Sequence, residues 1–415
     1  MTSVFIHNFG CRVNQAEAFD WSDRLNELGI SVKKDWRKSD LVIVNSCALT
    51  SRAEADVRQF VRRLYREAPE TRLIITGCLA EKNGQDFNNF PNVSLVIPNS
   101  AKESLVEELI RLVGPGYQKI EKKPYRSRAL VKIQDGCNAH CTFCIIPSLR
   151  GKSRSVPEEQ VVEQVKRAIG QGYNEVVLAG INLCAYGQDL SPESSLLKLL
   201  GSLNQIPELK LIRLSSLDPR LLSSELLDFL VSEEKICPHF HLSLQHASPE
   251  VLKKMGRKST PEEYLQIMNF LRAGRPEAGL GADIMVGFPG EGEADFEFLK
   301  KSLVSSPLTY FHVFSFSPRE GTPAAHWPQV DEKIKKRRSE ELRWLSREKN
   351  LAFKQNFLGK ILPAIVIKKK GVQVEALTSN YFKVIVDKAA GIAQRQVVKV
   401  RVSEVNPYSV KGEVV

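Results

Sequence analysis

The chain has 415 residues, 42% of them apolar and 26% charged, with 59 Lys and Arg against 48 Asp and Glu for a net charge of +11. That length suits two or three compact domains, and a composition near the globular average excludes wholesale disorder. No apolar run approaches the roughly 20 residues of a bilayer crossing, and the start Met1-Thr2-Ser3-Val4-Phe5-Ile6 has neither a basic leader nor a long apolar stretch, so a cytoplasmic protein with no membrane partner is expected.

From the start, short β-branched runs near 3–7, 40–45, 72–76 and 93–97 alternate with amphipathic stretches near 15–28, 51–67 and 101–113. That alternation predicts an open parallel α/β sheet. Cys11, Cys47 and Cys78 each lie just past one of these strands. Loops leaving the carboxyl ends of parallel strands share one edge, so three cysteines distant in sequence are brought together there. In a reducing compartment they are candidates for metal ligands rather than disulfides; three small buried side chains are the alternative.

After the apolar run Ala129–Ile133 comes Cys137-Asn138-Ala139-His140-Cys141-Thr142-Phe143-Cys144. Three thiolates at this spacing can cap three corners of a [4Fe–4S] cubane and leave the fourth iron open. Zinc with His140 as fourth ligand is the competing assignment, awkward because His140 adjoins Cys141. Strand-like segments then recur near 129–134, 174–179, 209–214, 238–244, 280–286 and 309–316, six β/α steps that predict a partial barrel. Polar and glycine positions gather at their ends: Gly180-Ile181-Asn182, Ser215-Ser216, Gln245 and Gly287-Phe288-Pro289-Gly290. Cys184 and Cys237 have no ligand partner at matching spacing and are read as structural.

Residues 331–415 hold 19 Lys and Arg against 9 Asp and Glu, so residues 1–330 are almost neutral, with 40 against 39. A helix opens on Asp331-Glu332-Lys333-Ile334-Lys335-Lys336-Arg337-Arg338 and runs to about Phe357, with Trp344, Leu345, Leu351 and Phe353 as its expected apolar members. Five short strands near 361–367, 372–377, 381–387, 396–404 and 410–415 then predict a small closed barrel of the kind that often binds oligonucleotides. Lys368-Lys369-Lys370 falls at a predicted hairpin tip, where basic side chains can reach phosphates; Tyr381 or Phe382 could contact a base, with core packing as the default for both.

The motif at Cys137, Cys141 and Cys144, with Phe143 before the third cysteine, resembles the signature of radical S-adenosylmethionine (SAM) enzymes. Phe9-Gly10-Cys11-Arg12-Val13-Asn14-Gln15, Asn45-Ser46-Cys47, Thr76-Gly77-Cys78, Gly180-Ile181-Asn182, Asp283–Glu291 and Ser317-Pro318-Arg319-Glu320-Gly321-Thr322 together resemble the methylthiotransferases. Val13-Asn14-Gln15 and Gly180–Gly187 are most similar to the branch acting on threonylcarbamoyladenosine in tRNA. The family commonly has His-Leu-Pro-Leu-Gln-Ser-Gly-Ser where this chain has His241-Leu242-Ser243-Leu244-Gln245-His246-Ala247-Ser248, and Pro-Tyr-Ala-Arg-Gly where it has Pro147-Ser148-Leu149-Arg150-Gly151.

The resemblance implies an N-terminal methylthiotransferase domain over 1–120, a radical SAM domain over 121–345 and a TRAM-like RNA-binding domain over 346–415. It implies two [4Fe–4S] clusters, one on Cys137, Cys141 and Cys144 that binds and reductively cleaves SAM, and an auxiliary one on Cys11, Cys47 and Cys78. It places Phe143 near the adenine of SAM, Gly180 and Asn182 near its methionine part, and Gln245 with Ser215 near the ribose or carboxylate; no side chain is named as catalytic. The expected reaction adds a methylthio group to carbon 2 of N6-threonylcarbamoyladenosine at position 37 of tRNA. Isopentenyladenosine, a ribosomal-protein aspartate, or a non-enzymatic iron–sulfur RNA sensor are the alternatives. Partners would be the tRNA anticodon stem-loop, an electron donor such as flavodoxin or ferredoxin, and a sulfur source.

Overall fold

A computed structural model describes residues 2–113 and 126–415. The expected boundary between residues 120 and 121 lies outside the described residues.

The first unit is a five-stranded parallel sheet in the order Ser31–Lys33, Ser3–Asn8, Leu41–Ser46, Arg72–Gly77, Val93–Pro98. Leu41, Val42, Ile43 and Val44 are all fully buried, because helices cover both faces of the sheet and a parallel strand between two layers must be apolar throughout. Strand order reverses between Ser3–Asn8 and Leu41–Ser46, the switch point at which such sheets hold ligands. Cys11 and Cys47 follow these two strands, and Cys78 follows the next.

The central unit has the six expected strands: Ala129–Lys132, Glu175–Ala179, Leu211–Leu217 broken at Ser215, His239–Gln245, Gly279–Val286 and Tyr310–Ser315. Its first half, Leu211–Leu214, pairs with Glu175–Ala179, while Ser216 and Leu217 pair with His241 and Leu242. One strand thus carries the curvature from one half of the partial barrel to the other, helped by a bridge between Ile212 and Ile236.

The third unit is a closed barrel in the order Ile361–Lys370, Gln373–Thr378, Lys383–Val386, Val410–Val414, Val397–Val405. Along Val397–Val405 buried and exposed residues alternate, with Val398, Val400 and Val402 inside, the period of a sheet wetted on one side only. Phe382 packs inward with Phe353 and Phe357, so it is core and does not face a base.

The helix Glu332–Gln355 departs from expectation. Trp344 is 61% exposed, whereas Lys335, Arg338, Ser339, Leu342 and Ser346 are buried with Phe353. The helix docks through polar contacts: Phe311 N–H donates to Ser346 Oγ and the hydroxyl donates back to Phe311 O, both at 2.8 Å. Arg338 pairs with Glu291 and Glu293, and Arg337 with Glu293 and Glu341. Part of the basic run is therefore spent on internal ion pairs. The helix spans the expected boundary at 345 and 346.

Candidate functional site

The loops carrying Cys11, Cys47 and Cys78 are stitched together by short polar side chains. Asn14 donates to Phe9 O at 2.8 Å and Ser46 O at 3.0 Å, and Asn45 donates to Asn14 O at 3.0 Å. Ser46 Oγ donates to Thr76 O and accepts from Leu79 and Ala80 N–H. Two glycines make the approach possible. Gly10 has φ +98°, and a Cβ there would sit 2.8 Å from Cys47 Sγ; Gly77 has φ +92°, and a Cβ there would sit 2.6 Å from Ser46 O. Side chains are excluded at both by space and by backbone conformation.

Cys137, Cys141 and Cys144 lie on the loop after Ala129–Lys132. Cys137 N–H donates to Gly151 O at 3.1 Å, Ala139 N–H to Cys137 Sγ at 3.4 Å, and Thr142 N–H to Met255 O at 3.1 Å. Gly136, φ +68°, would place a Cβ 2.0 Å from Lys152 O.

All six thiols are free of disulfides. Burial pushes Cys47 up to about 12 and Cys144 up to about 11, and raises Cys78 and Cys137. A bound cation favours the thiolate form of a buried cysteine, and the donor set fits thiolate-binding iron. Among the described residues, the donor group that converges within 4.8 Å, as one ion demands, is His241, Asp283 and His312. Neither thiol triplet converges within that distance among the described residues. His140 is exposed and outside that group, which counts against zinc.

A buried charge network that sequence reading missed lies between the triplets. Arg150 Nη1 is 2.8 Å from Asp135 Oδ1 and 3.2 Å from Glu17 Oε1, and Nη2 bonds Asn14 Oδ1. The guanidinium also faces Cys78 and Cys11. Burial would raise Glu17, but Lys102, Arg150 and Lys132 outweigh it and hold the carboxyl down to about 2. The available signal was placement: Asn14 and Arg150 sit within the Val13-Asn14-Gln15 and Leu149-Arg150-Gly151 stretches beside the cysteines.

At the carboxyl ends of the central strands, Gly180 N–H donates to Ser215 Oγ at 3.4 Å and Asn182 N–H to Gln134 Oε1 at 2.9 Å. Gln134, also unanticipated, donates through Nε2 to Gly136 O at 2.8 Å, tying the second thiol loop to Gly180, Asn182 and Ser215. Asn182 Oδ1 is buried without a partner among the described residues, an acceptor that a ligand amino group could use. Gln245, at the same edge, has φ +72°, a conformation a non-glycine residue adopts at some cost and often at functional sites. Phe143 makes an edge contact with Phe288 at 6.3 Å. His246 is buried, accepts from Ser248 N–H at 2.9 Å and lies 4.0 Å from Glu291.

Lys368, Lys369 and Lys370 are exposed on the hairpin that turns at Gly371, with Lys369 Nζ donating to Ile392 O. Tyr381 does not offer itself to a base: it stacks on His239 with ring centroids 4.0 Å apart. Burial pushes Cys184 and Cys237 to about 12, and Cys184 packs in the main core. Among the described residues no helix is long and apolar enough to cross a membrane.

Residues 131–303 match the Radical SAM superfamily and residues 3–98 match Uncharacterized protein family UPF0004. The chain is 35% identical over 402 residues, covering 94% of it and 92% of the relative, to the threonylcarbamoyladenosine tRNA methylthiotransferase MtaB of Rickettsia prowazekii. It is 36% identical over 398 residues, 92% and 96% respectively, to the protein of the same name from Aquifex aeolicus. Its fold is similar to that of the radical S-adenosylmethionine methyltransferase TsrM from Kitasatospora setae, solved with cobalamin and a [4Fe–4S] cluster. The TM-score is 0.56 at 13% identity, over 78% of this chain and 77% of that one.

Proposed function

The chain belongs to the radical SAM methylthiotransferase family, and we propose that it adds a methylthio group to carbon 2 of N6-threonylcarbamoyladenosine at position 37 of tRNA, next to the anticodon. The observation that carries this reading is the pair of three-thiol sites tied to each other through Arg150, in a chain related over nearly its full length to enzymes named for that reaction.

The C–H bond at carbon 2 of an adenine is beyond the reach of side-chain acids and bases, so a bound cofactor must supply the reactive species. When bound, one cluster on Cys137, Cys141 and Cys144 supplies an electron and an open iron for SAM, and a second on Cys11, Cys47 and Cys78 supplies an open iron for the sulfur. The chain's own part is placement. Asn182 Oδ1 offers an acceptor to the SAM amino group, Gly180 leaves room beside it, and Ser215 and Gln245 face the remainder of SAM with Phe143 at its adenine. Arg150 offsets the negative charge that thiolate ligation brings into a buried place.

The division 1–120, 121–345 and 346–415 serves as auxiliary-cluster domain, radical SAM domain and TRAM-like RNA-binding domain, with Lys368, Lys369 and Lys370 on tRNA phosphates. A flavodoxin or ferredoxin as reductant, a separate sulfur source and a cytoplasmic location complete the proposal. Mass spectrometry of tRNA nucleosides from a deletion strain tests it: the methylthio group should vanish from threonylcarbamoyladenosine alone. Its loss from isopentenyladenosine instead would assign the chain to the other tRNA substrate.

A further inference from the structure

The inner face of the partial barrel carries a continuous chain of polar side chains to which the reaction outlined above assigns no role. Along His239–Gln245, Phe240, Leu242 and Leu244 belong to the core beneath the helices, so His239 and His241 point to the opposite, inner face. His241 is in register with Gly281, Gly281 with Tyr310, and Asp283 with His312, which puts all of them on that face. Gly281 makes room for the arrangement, since a Cβ there would lie 2.3 Å from the Tyr310 ring and 2.6 Å from His241 Nδ1.

The contacts run end to end. Tyr310 Oη is 2.7 Å from His239 Nε2 and 3.2 Å from His241 Nδ1. His241 Nε2 is 3.1 Å from Asp283 Oδ1, which is 3.5 Å from Nδ1 of the exposed His312. At the other end Tyr381 stacks on His239, and its hydroxyl accepts a hydrogen bond from Arg12 Nη2. Arg12 Nη1 donates to Gln15 Oε1 at 3.3 Å. The chain therefore leads from the residue directly after Cys11 to the exposed His312.

Its charge is unbalanced. Arg12 bonds two neutral oxygens and pairs with no carboxylate among the described residues. Asp283 is already held by two imidazoles, and Glu175 is taken up by Arg213, which lies over the Tyr381 ring. A guanidinium so placed is a ready fork for a planar anion.

Substrate chemistry says which anion belongs there. In adenine, N1 separates carbon 2 from the carbon bearing N6, so both positions lie on one edge of the base. An arm on N6 is therefore carried toward the side from which sulfur must reach carbon 2. The side chain next to an auxiliary-cluster cysteine is where that arm would be met.

We propose that Arg12, held in place by Tyr381 and Gln15, binds the carboxylate of the amino-acid arm on N6 of the substrate adenosine; this rests on the substrate reading above. Arg12 is then a specificity-determining contact, and Tyr381 is a positioning residue for it.

The test uses the full chain reconstituted with both clusters, and two anticodon stem-loop RNAs, one bearing the threonylcarbamoyl arm and one bearing the same arm with its carboxylate replaced by a carboxamide. Wild type should show a KM about tenfold or more higher for the carboxamide RNA, the scale of one charge-assisted pair lost. Arg12→Gln should raise KM for the carboxylate RNA until the two RNAs are equal, with kcat and iron content kept. Tyr381→Phe, which leaves the cluster domains untouched, should move KM in the same direction by a smaller factor. A wild type indifferent to the carboxylate, or an Arg12→Gln protein that loses activity equally on both RNAs, would overturn the proposal. If wild type modifies neither RNA but acts on one whose adenosine lacks the arm, the substrate reading fails first and the inference with it.

Discussion

Arg150 Nη1 donates to Asp135 Oδ1 at 2.8 Å, and through that bond a residue two positions before Cys137 is fixed to a guanidinium that also faces Cys11 and Cys78. The two thiol sites are thereby joined by one frame of buried charges.

Replacing that guanidinium should therefore damage both sites. Arg150→Met leaves Glu17 and Asp135 buried with one cation fewer, a change that typically costs about 3–5 kcal/mol. The variant should melt well below wild type and retain less iron after anaerobic reconstitution, the auxiliary site losing most. Arg150→Lys, which keeps the charge but not the fork, should recover part of the stability. Full iron loading of Arg150→Met would show that the frame is not needed.

Glu17 predicts how the fold responds to acid. Its carboxyl is held at about 2 in the folded chain against an ordinary 4.5. Because the folded value is depressed, the stabilisation is complete above about pH 4.5 and is lost as pH falls toward 2, a swing of about 3 kcal/mol at most. Denaturant melts between pH 6 and 3 should show wild type weakening more steeply than Glu17→Gln, which starts less stable but cannot titrate. Parallel slopes would contradict the pairing with Lys102, Arg150 and Lys132.

Asn182 separates binding from folding. Its N–H is occupied by Gln134 while Oδ1 has no partner among the described residues, so Asn182→Ala removes an acceptor without breaking a bond inside the protein. SAM affinity should fall by about tenfold with unchanged melting temperature and iron content. Unaltered SAM cleavage and affinity would remove Asn182 from the site.

The hairpin lysines predict a salt effect. Changing Lys368, Lys369 and Lys370 to Ala should weaken tRNA binding at every sequence and lower the slope of log affinity against log salt by about two to three. An unchanged slope would leave the basic surface without a role in binding. Deleting the whole C-terminal barrel is a poorer test, because Thr378 O and Ser379 O accept from the buried Arg213 of the central barrel.

Much of this architecture could be read before any coordinates. Parallel strands buried on both faces announce themselves as β-branched runs, such as Leu41–Val44, and each of Cys11, Cys47 and Cys78 stands where such a run ends. The closed C-terminal barrel is similarly visible in the alternation of Val398, Val400 and Val402. What stayed hidden depends on partners far away in sequence. Nothing local to Ser346 says that it will bond Phe311 of the last barrel strand, and counting apolar residues along the same helix picks out Trp344, which faces water. Arg150 and Glu17 look like ordinary surface charges until the fold brings them together across 133 positions, and Tyr381 reads as a free aromatic until it is seen stacked on His239.

The most direct measurement is iron and product in one experiment. The chain is reconstituted anaerobically with iron and sulfide, its iron is counted, and it is then given SAM, a reductant and an anticodon stem-loop carrying threonylcarbamoyladenosine. Two cubane clusters on the six cysteines predict about eight irons per chain and a 2-methylthio product by mass spectrometry, with Cys47→Ala reducing iron to about four and abolishing product while SAM cleavage persists. About four irons in wild type, or methylthio product from Cys47→Ala, would contradict the account.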